Sequence, residues 1–197
     1  MIIGIVGKMG SGKDYIASKY ILPYMEGVLK KRVLQVCFAD QIKVNVMSKG
    51  NFTYDELYVN KTPESRRSLQ IEGTENGRDV HGKDVWINYT DSWIKVYKER
   101  GINDFIITDC RFKNEVEYIK RSGGIILKVH APQRNHERLF KESNGDHHTY
   151  HKLQGHPSEC DLDSYDGNCY DMVIDNDIGA DVTRQIVEVY KLISYST

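Results

Sequence analysis

The sequence points to an α/β fold, a five-stranded parallel sheet with helices on both faces. Three observations carry this expectation. Short, nearly continuous apolar runs recur along the 197 residues, as strands buried on both faces of a parallel sheet do. Helical patterns separate the runs, and a strand that alternates with a helix makes crossover units. The first run ends in a glycine loop with a lysine that opens a helix, Gly7–Lys13.

The strands expected are Ile2–Val6, Val33–Phe38, Phe105–Thr108, Ile125–Val129 and the shorter Met172–Ile174. Helices are expected over Lys13–Tyr24, stopping near Pro23 because proline cannot continue an interior helix. Further helices are expected around Gln41–Ser48, Asp84–Glu99 and Lys113–Arg121, with a last one at Ala180–Ile193. Two stretches break the alternation: Lys61–Lys83, rich in arginine and glycine, and Ala131–Asp166, rich in polar residues and histidine. They read as insertions at the open end of the sheet. The length fits one domain, 1–197, since single cores serve chains up to roughly 250 residues. Within it we expect an acceptor-binding insertion at about 50–100 and a lid-like one at about 131–166.

Hydrophobic residues make up 40% and charged residues 28%, the balance of ordinary folded domains. Lysine plus arginine (27) nearly cancels aspartate plus glutamate (28). That leaves no field suited to duplex nucleic acid, so an anion must be held locally. The four cysteines lack CxxC spacing and read as free thiols. No signal peptide and no apolar run of the ~20 residues needed to span a bilayer is visible. The Asn-x-Ser/Thr triplets at Asn51, Asn60 and Asn88 are read as chance, and a cytoplasmic chain is expected.

Gly7-Lys8-Met9-Gly10-Ser11-Gly12-Lys13 matches the first seven positions of G-x-x-x-x-G-K-[ST], between a strand and a helix, the context this phosphate-binding loop requires. Glycines let backbone N–H groups converge on phosphate oxygens, the helix N-terminus adds partial positive charge, and Lys13 brings a full charge to the β and γ phosphates. The eighth position is Asp14, where a hydroxyl ligand to magnesium usually stands. A carboxylate can serve the metal as well, or Asp14 can be a first-turn acid favoured by the helix dipole.

A phosphoryl transfer to a phosphorylated acceptor needs cations on both sides of the moving group. A second cationic cluster runs from Arg66-Arg67 to Arg78, with Gln70 and Thr74 as neutral hydrogen-bonding groups. A solvated basic face is the plainer reading of the same residues. Asp109 and Arg111 follow the third apolar run, where α/β sheets bind ligands, and Asp109 stands where an acid would orient magnesium. Asp40 ends the second run; it could accept from a sugar hydroxyl or base edge, or cap the next helix. In the polar stretch, Arg134 suits a lid that brings donors on closure. Its histidines and Cys160 lack finger spacing for zinc. Trp86, Tyr89 and Trp93 read as core packing at helical spacing.

Taken together these blocks resemble the phage-type deoxynucleoside monophosphate kinases. The residues concerned are Gly7-Lys8 through Ser11-Gly12-Lys13-Asp14, Phe38-Ala39-Asp40 with Ile42-Lys43, and Leu69-Gln70 through Gly73-Thr74-Glu75 to Arg78. Thr108-Asp109, Arg111-Phe112, Asn114-Glu115-Val116, His156 with Ser158-Glu159, and Ile174-Asp175-Asn176 complete the set. In that family an aspartate at the position of Asp14 is usual and threonine commonly follows; here Tyr15 does. The resemblance implies a P-loop fold of the nucleoside monophosphate kinase type, ATP with Mg²⁺ as donor, a deoxynucleoside monophosphate as acceptor, and a homodimer. It implies that Asn176 lies on the nucleotide side and Lys43 on the acceptor side. Arg66, Arg67 and Arg78 would clamp the acceptor phosphate, Asp40, Arg111 and Glu159 would meet its sugar or base, and Arg134 would be the lid arginine. Lys13, Arg134, Asp109 and Arg67 would carry catalysis. The rivals are a kinase of the same build acting on phosphomevalonate or dephospho-coenzyme A, and a non-catalytic nucleotide-binding module. A GTP switch lacks its guanine reader, since Asn60-Lys61 is followed by Thr62-Pro63.

Overall fold

The computed structural model describes residues 1–165 and 167–196. The chain divides into two compact units, one of Met1–Gln35 with Ile102–Thr197 and one of Val36–Gly101.

The first unit is built on a five-stranded sheet of β1 (Ile2–Val6), β2 (Val33–Val36), β3 (Asp104–Cys110), β4 (Ile125–His130) and β5 (Met172–Asp175). Their order is β2-β3-β1-β4-β5. β1 pairs in parallel with β3 and with β4, and β4 pairs in parallel with β5. From the central β1 the chain moves toward β2, whereas β4 passes outward to β5. The order therefore reverses at the carboxyl ends of β1 and β4, where α/β sheets leave a crevice.

Alternation along β1 assigns its two faces. Ile3 and Ile5 pack with Ile16, Ile21 and Met25 and with Ile186, Val189 and Ile193 of the C-terminal helix. Gly4 points the other way, where an added Cβ would lie 2.5 Å from Ile119 Cδ1. The missing side chain is what lets the helix Lys113–Arg121 approach the sheet. Helices thus cover both faces, as expected from the sequence.

Helix α1 (Lys13–Ile16) continues through π-helical turns at Ala17–Ile21 and Tyr24–Val28, so Pro23 does not end the helical path. Leu22 and Leu29 donate to carbonyls five residues back, Ala17 and Tyr24. The wider turns relieve the clash a proline ring makes in a regular helix, and Pro23 has no N–H needing a partner.

The second unit carries α2 (Asp40–Ser48), a π turn at Asp55–Val59, α3 (Pro63–Gly73), a π turn at Thr74–Arg78, the short α4 (Asp79–His81) and α5 (Val85–Glu99). Thr62 caps α3 by accepting from Ser65 N–H at 3.1 Å, with Pro63 in the first turn. The buried Trp86 donates its indole N–H to Gly73 O at 2.8 Å. Tyr89 and Trp93 are 46% and 48% exposed, so only Trp86 of the three aromatic residues is core.

After β3 come α6 (Lys113–Arg121), α7 (Pro132–Glu142), α8 (His147–Gln154), α9 (Pro157–Cys160) and, after β5, α10 (Val182–Tyr195). The polar stretch after β4 is therefore largely helical. Pro132 and Pro157 sit in first turns, and Asp146 and His156 accept from Thr149 and Ser158 N–H groups. Asp166, the last residue of that stretch, lies outside the described residues.

Candidate active site

Gly7–Lys13 joins β1 to α1 as expected, with Gly10 and Gly12 at φ 78° and 86°, a region glycine enters freely. A Cβ on Gly7 would meet Ser11 Oγ at 2.6 Å and Val129 O at 2.8 Å. The loop is therefore wound too closely for side chains at this point.

Lys13 is buried, with its ammonium 3.2 Å from Lys8 O. Burial lowers its pKa to about 8, and the nearby Arg111 guanidinium adds to the drop; Asp14, Glu159 and Asp109 pull the other way. Three carboxylates and one guanidinium thus surround the ammonium closely enough to act on it. Ser11 Oγ is buried and has no hydrogen-bond partner among the described residues. A buried hydroxyl without a partner is costly, and in a loop of this shape it suits a phosphate oxygen.

Two asparagines hold the loop from outside. Asn176 Nδ2 donates to Ser11 O at 2.7 Å and is buried, and Asn135 Nδ2 in α7 donates to Met9 O at 2.8 Å. Arg134, the expected lid arginine, is exposed and donates to Asn176 O at 3.1 Å. The N–H groups of Gln133 and Arg134 donate to Asp177, so the β5–α10 loop fixes the start of α7.

The segment from α9 onward meets the loop with acids. Glu159, 6% exposed, accepts from Met9 N–H at 2.8 Å and pairs with the Arg111 guanidinium. Asp163 pairs with Lys8 at 2.7 Å, and Asp161 accepts from Lys113 N–H at 2.8 Å. Arg111 N–H and Phe112 N–H both donate to Glu115, which turns the chain from β3 into α6. Asp109 stands inside β3, which runs longer than expected, and is half-buried. His156 is held below its usual pKa by burial and by Arg111.

A cavity of about 430 Å³ opens at the carboxyl ends of β1, β3 and β4. Its lining includes Gly7, Ser11, Arg111, Lys128, Glu159 and Tyr170. Tyr170 Oη, like Ser11 Oγ, is buried without a partner among the described residues. Burial pushes that phenol up to about 12, aided by the neighbouring thiol of Cys110. The sequence had singled out neither Asn135 nor Tyr170. No local pattern marks them, because only the return of α7 and β5 brings them here.

In the second unit the remaining expected residues sit on neighbouring turns. Asp40 neither caps α2 in the usual way nor stands alone: its carboxylate accepts from Cys37 N–H at 2.8 Å and lies 3.2 Å from Lys43 Nζ. Lys43 is buried, with its ammonium 4.1 Å from the Tyr58 ring centre. Arg66, Arg67, Gln70 and Thr74 follow one another along α3 and its end, and Arg78 closes the π turn after it. Arg67, Gln70 and Thr74 are exposed; Arg66 and Arg78 are half-buried. Glu72 anchors this stretch: burial raises its pKa, but hydrogen bonds from Lys49, Asn45 and Asn76 outweigh that and hold it below its usual value.

Among the described residues no group of three or more His, Cys, Asp or Glu side chains could hold a metal. No described helix is long and apolar enough to cross a membrane.

No family model matches the chain. A protein of Acanthamoeba polyphaga mimivirus named "Putative deoxynucleotide monophosphate kinase" is 28% identical over 147 residues, 67% of this chain and 75% of that protein. Among solved structures, shikimate kinase from Acinetobacter baumannii, in complex with shikimate, matches with a TM-score of 0.52 at 16% identity, covering 100% of this chain and 94% of the other. A sugar kinase from Janibacter sp. HTCC2649 matches with a TM-score of 0.50 at 12% identity, over 98% and 94% of the two chains. The chain therefore has the fold of the P-loop kinases, and its sequence is similar to that of a viral protein named for deoxynucleotide monophosphate phosphorylation.

Proposed function

We propose that the protein is a deoxynucleoside monophosphate kinase that passes the γ-phosphoryl group of ATP to the 5′-phosphate of a dNMP, giving a dNDP. The observation that carries this reading is the glycine loop with its buried Lys13 and unpartnered Ser11 hydroxyl, features suited to a triphosphate. The motif blocks and the mimivirus relative support the acceptor class.

In the transfer, an oxygen of the acceptor phosphate bonds to the γ-phosphorus as the bond to the β–γ bridging oxygen breaks, and ADP leaves with that electron pair. No covalent enzyme intermediate is needed, because the acceptor is already anionic. Catalysis is positioning and charge stabilisation. Lys13 holds the β and γ oxygens, and the main-chain amides of Gly10–Lys13 orient them. Arg134 supplies a donor at the transferred group, while Arg66, Arg67 and Arg78 hold the acceptor phosphate. Asp40, Lys43, Gln70, Thr74, Arg111 and Glu159 meet the rest of the acceptor. Asp14 and Asp109, both near enough to act on the Lys13 ammonium, are the carboxylates that would hold Mg²⁺, whose charge would neutralise the phosphates. Dimerisation, the reading of the chain as one domain, and a cytoplasmic setting belong to the same proposal.

ADP formation in a coupled assay with dGMP, dTMP, dCMP and dAMP, beside phosphomevalonate and dephospho-coenzyme A, tests the acceptor class. ADP release that depends on at least one dNMP is expected. Release that depends only on a non-nucleotide acceptor would transfer the protein to the rival kinases, and none at all would leave a binding module.

A further inference from the structure

The glycine loop is held by two carboxamides whose bonds determine which way its peptides face. In a planar trans peptide the C=O of one residue and the N–H of the next point in opposite directions. Asn135 of α7 draws the Met9 carbonyl toward itself at 2.8 Å, so the Gly10 N–H points away from α7. Asn176 draws the Ser11 carbonyl at 2.7 Å, so the Gly12 N–H points away from the β5–α10 loop. None of the described residues accepts a hydrogen bond from either N–H. Side chains are also excluded at these positions: a Cβ on Gly10 would lie 2.7 Å from Arg138 Cβ of α7, and one on Gly12 would lie 2.4 Å from Asn176 Nδ2.

The clamp residues are themselves fixed. Asn176 is 4% exposed, and its carbonyl accepts from Arg134. Asn135 follows the turn of α7 whose N–H groups donate to Asp177. Both clamps therefore rest on one structural unit, the β5–α10 loop joined to the start of α7.

Resting on the kinase reading above, we propose that Asn135 and Asn176 are positioning residues that preset the Gly10 and Gly12 amides to donate to the donor's phosphates. Neither side chain need touch the nucleotide. A loop whose amides are already aimed loses less conformational freedom on binding a polyanion, and donors fixed beforehand stabilise developing charge without reorganising.

The test is calorimetric titration with inorganic tripolyphosphate and with ATP, alongside amide NMR, on the full chain. Asn135→Leu keeps size and charge but cannot donate. It is expected to weaken tripolyphosphate binding about five- to tenfold, the value of one net hydrogen bond. The Gly10 amide is expected to lose its downfield shift on ligand addition while the Gly12 amide keeps its own. Asn176→Leu should give the reverse pattern, and Asn135→Gln, which retains the donor, should restore most of the affinity. If Asn176→Leu fails to fold, the Asn135 pair still decides the matter. Affinity within twofold of the unaltered protein in Asn135→Leu, with the Gly10 shift intact, overturns the clamp alone. An unaltered protein that binds neither tripolyphosphate nor ATP overturns the kinase reading and the clamp with it.

Discussion

At the scale of single residues, the buried ammonium of Lys13 sets both a cost and a pH dependence. Its pKa of about 8 against 10.5 for an ordinary lysine corresponds to about 3 kcal/mol spent on holding the charge out of water. Lys13→Met should therefore lower turnover by orders of magnitude while raising the stability of the ligand-free protein, read by chemical denaturation; a destabilised variant would contradict the burial argument. An unfolded chain keeps this proton up to about pH 10.5 while the folded protein releases it near 8. Between those values the unfolded state binds more protons, so this group makes folding stability rise with pH. Function moves the opposite way, because the neutral amine no longer attracts phosphate. The alkaline limb of kcat/KM, which reports the free enzyme, should fall near pH 8, and it should be missing from any residual activity of Lys13→Met. The loop residues were legible in the sequence because their spacing is local. Glu159 was legible only as a member of a block, and its bond to Met9 N–H across 150 residues has no local signature.

At the scale of elements, backbone proximity decides what the sequence can vary. Gly77 sits where a Cβ would lie 2.3 Å from Trp86 Cζ2 and 2.8 Å from Glu72 O. Gly77→Ala should destabilise the second unit by about 1–3 kcal/mol, the usual range for overpacking. The tryptophan fluorescence of Trp86 makes the loss visible, and an unchanged denaturation midpoint would refute the close contact. Every strand and five of the ten described α-helices, α1, α2, α5, α6 and α10, were readable because apolar periodicity reflects burial directly. The helices of the two insertions were hidden by their polar surfaces: in α7 only Ala131 before it and Leu139 within it are buried. Their start signals, Thr62-Pro63, Ala131-Pro132 and His156-Pro157, were present all along and outweigh composition. Pro23 misled in the other direction, since π turns absorbed it.

At the scale of the whole molecule, the two compact units divide the expected residues between them. The donor loop, Asp109, Arg111, Arg134, Glu159 and Asn176 belong to the first, and Asp40, Lys43 and the arginines of α3 and the turn after it belong to the second. If the second unit serves the acceptor, Arg67→Ala should raise the KM for dNMP at least tenfold while the KM for ATP changes by less than threefold. Equal effects on both would remove the division of labour. The parallel sheet with helices on both faces follows from the crossover alternation in the sequence, whereas the strand order is seen only in the structure and the acceptor's identity depends on a pocket shape that no motif encodes. The most direct measurement supplies ATP labelled with ³²P in the γ position together with each of the four dNMPs and separates the products. Label recovered in a dNDP, in equal amount to ADP, is expected; label found only in inorganic phosphate with all four acceptors would contradict the transfer.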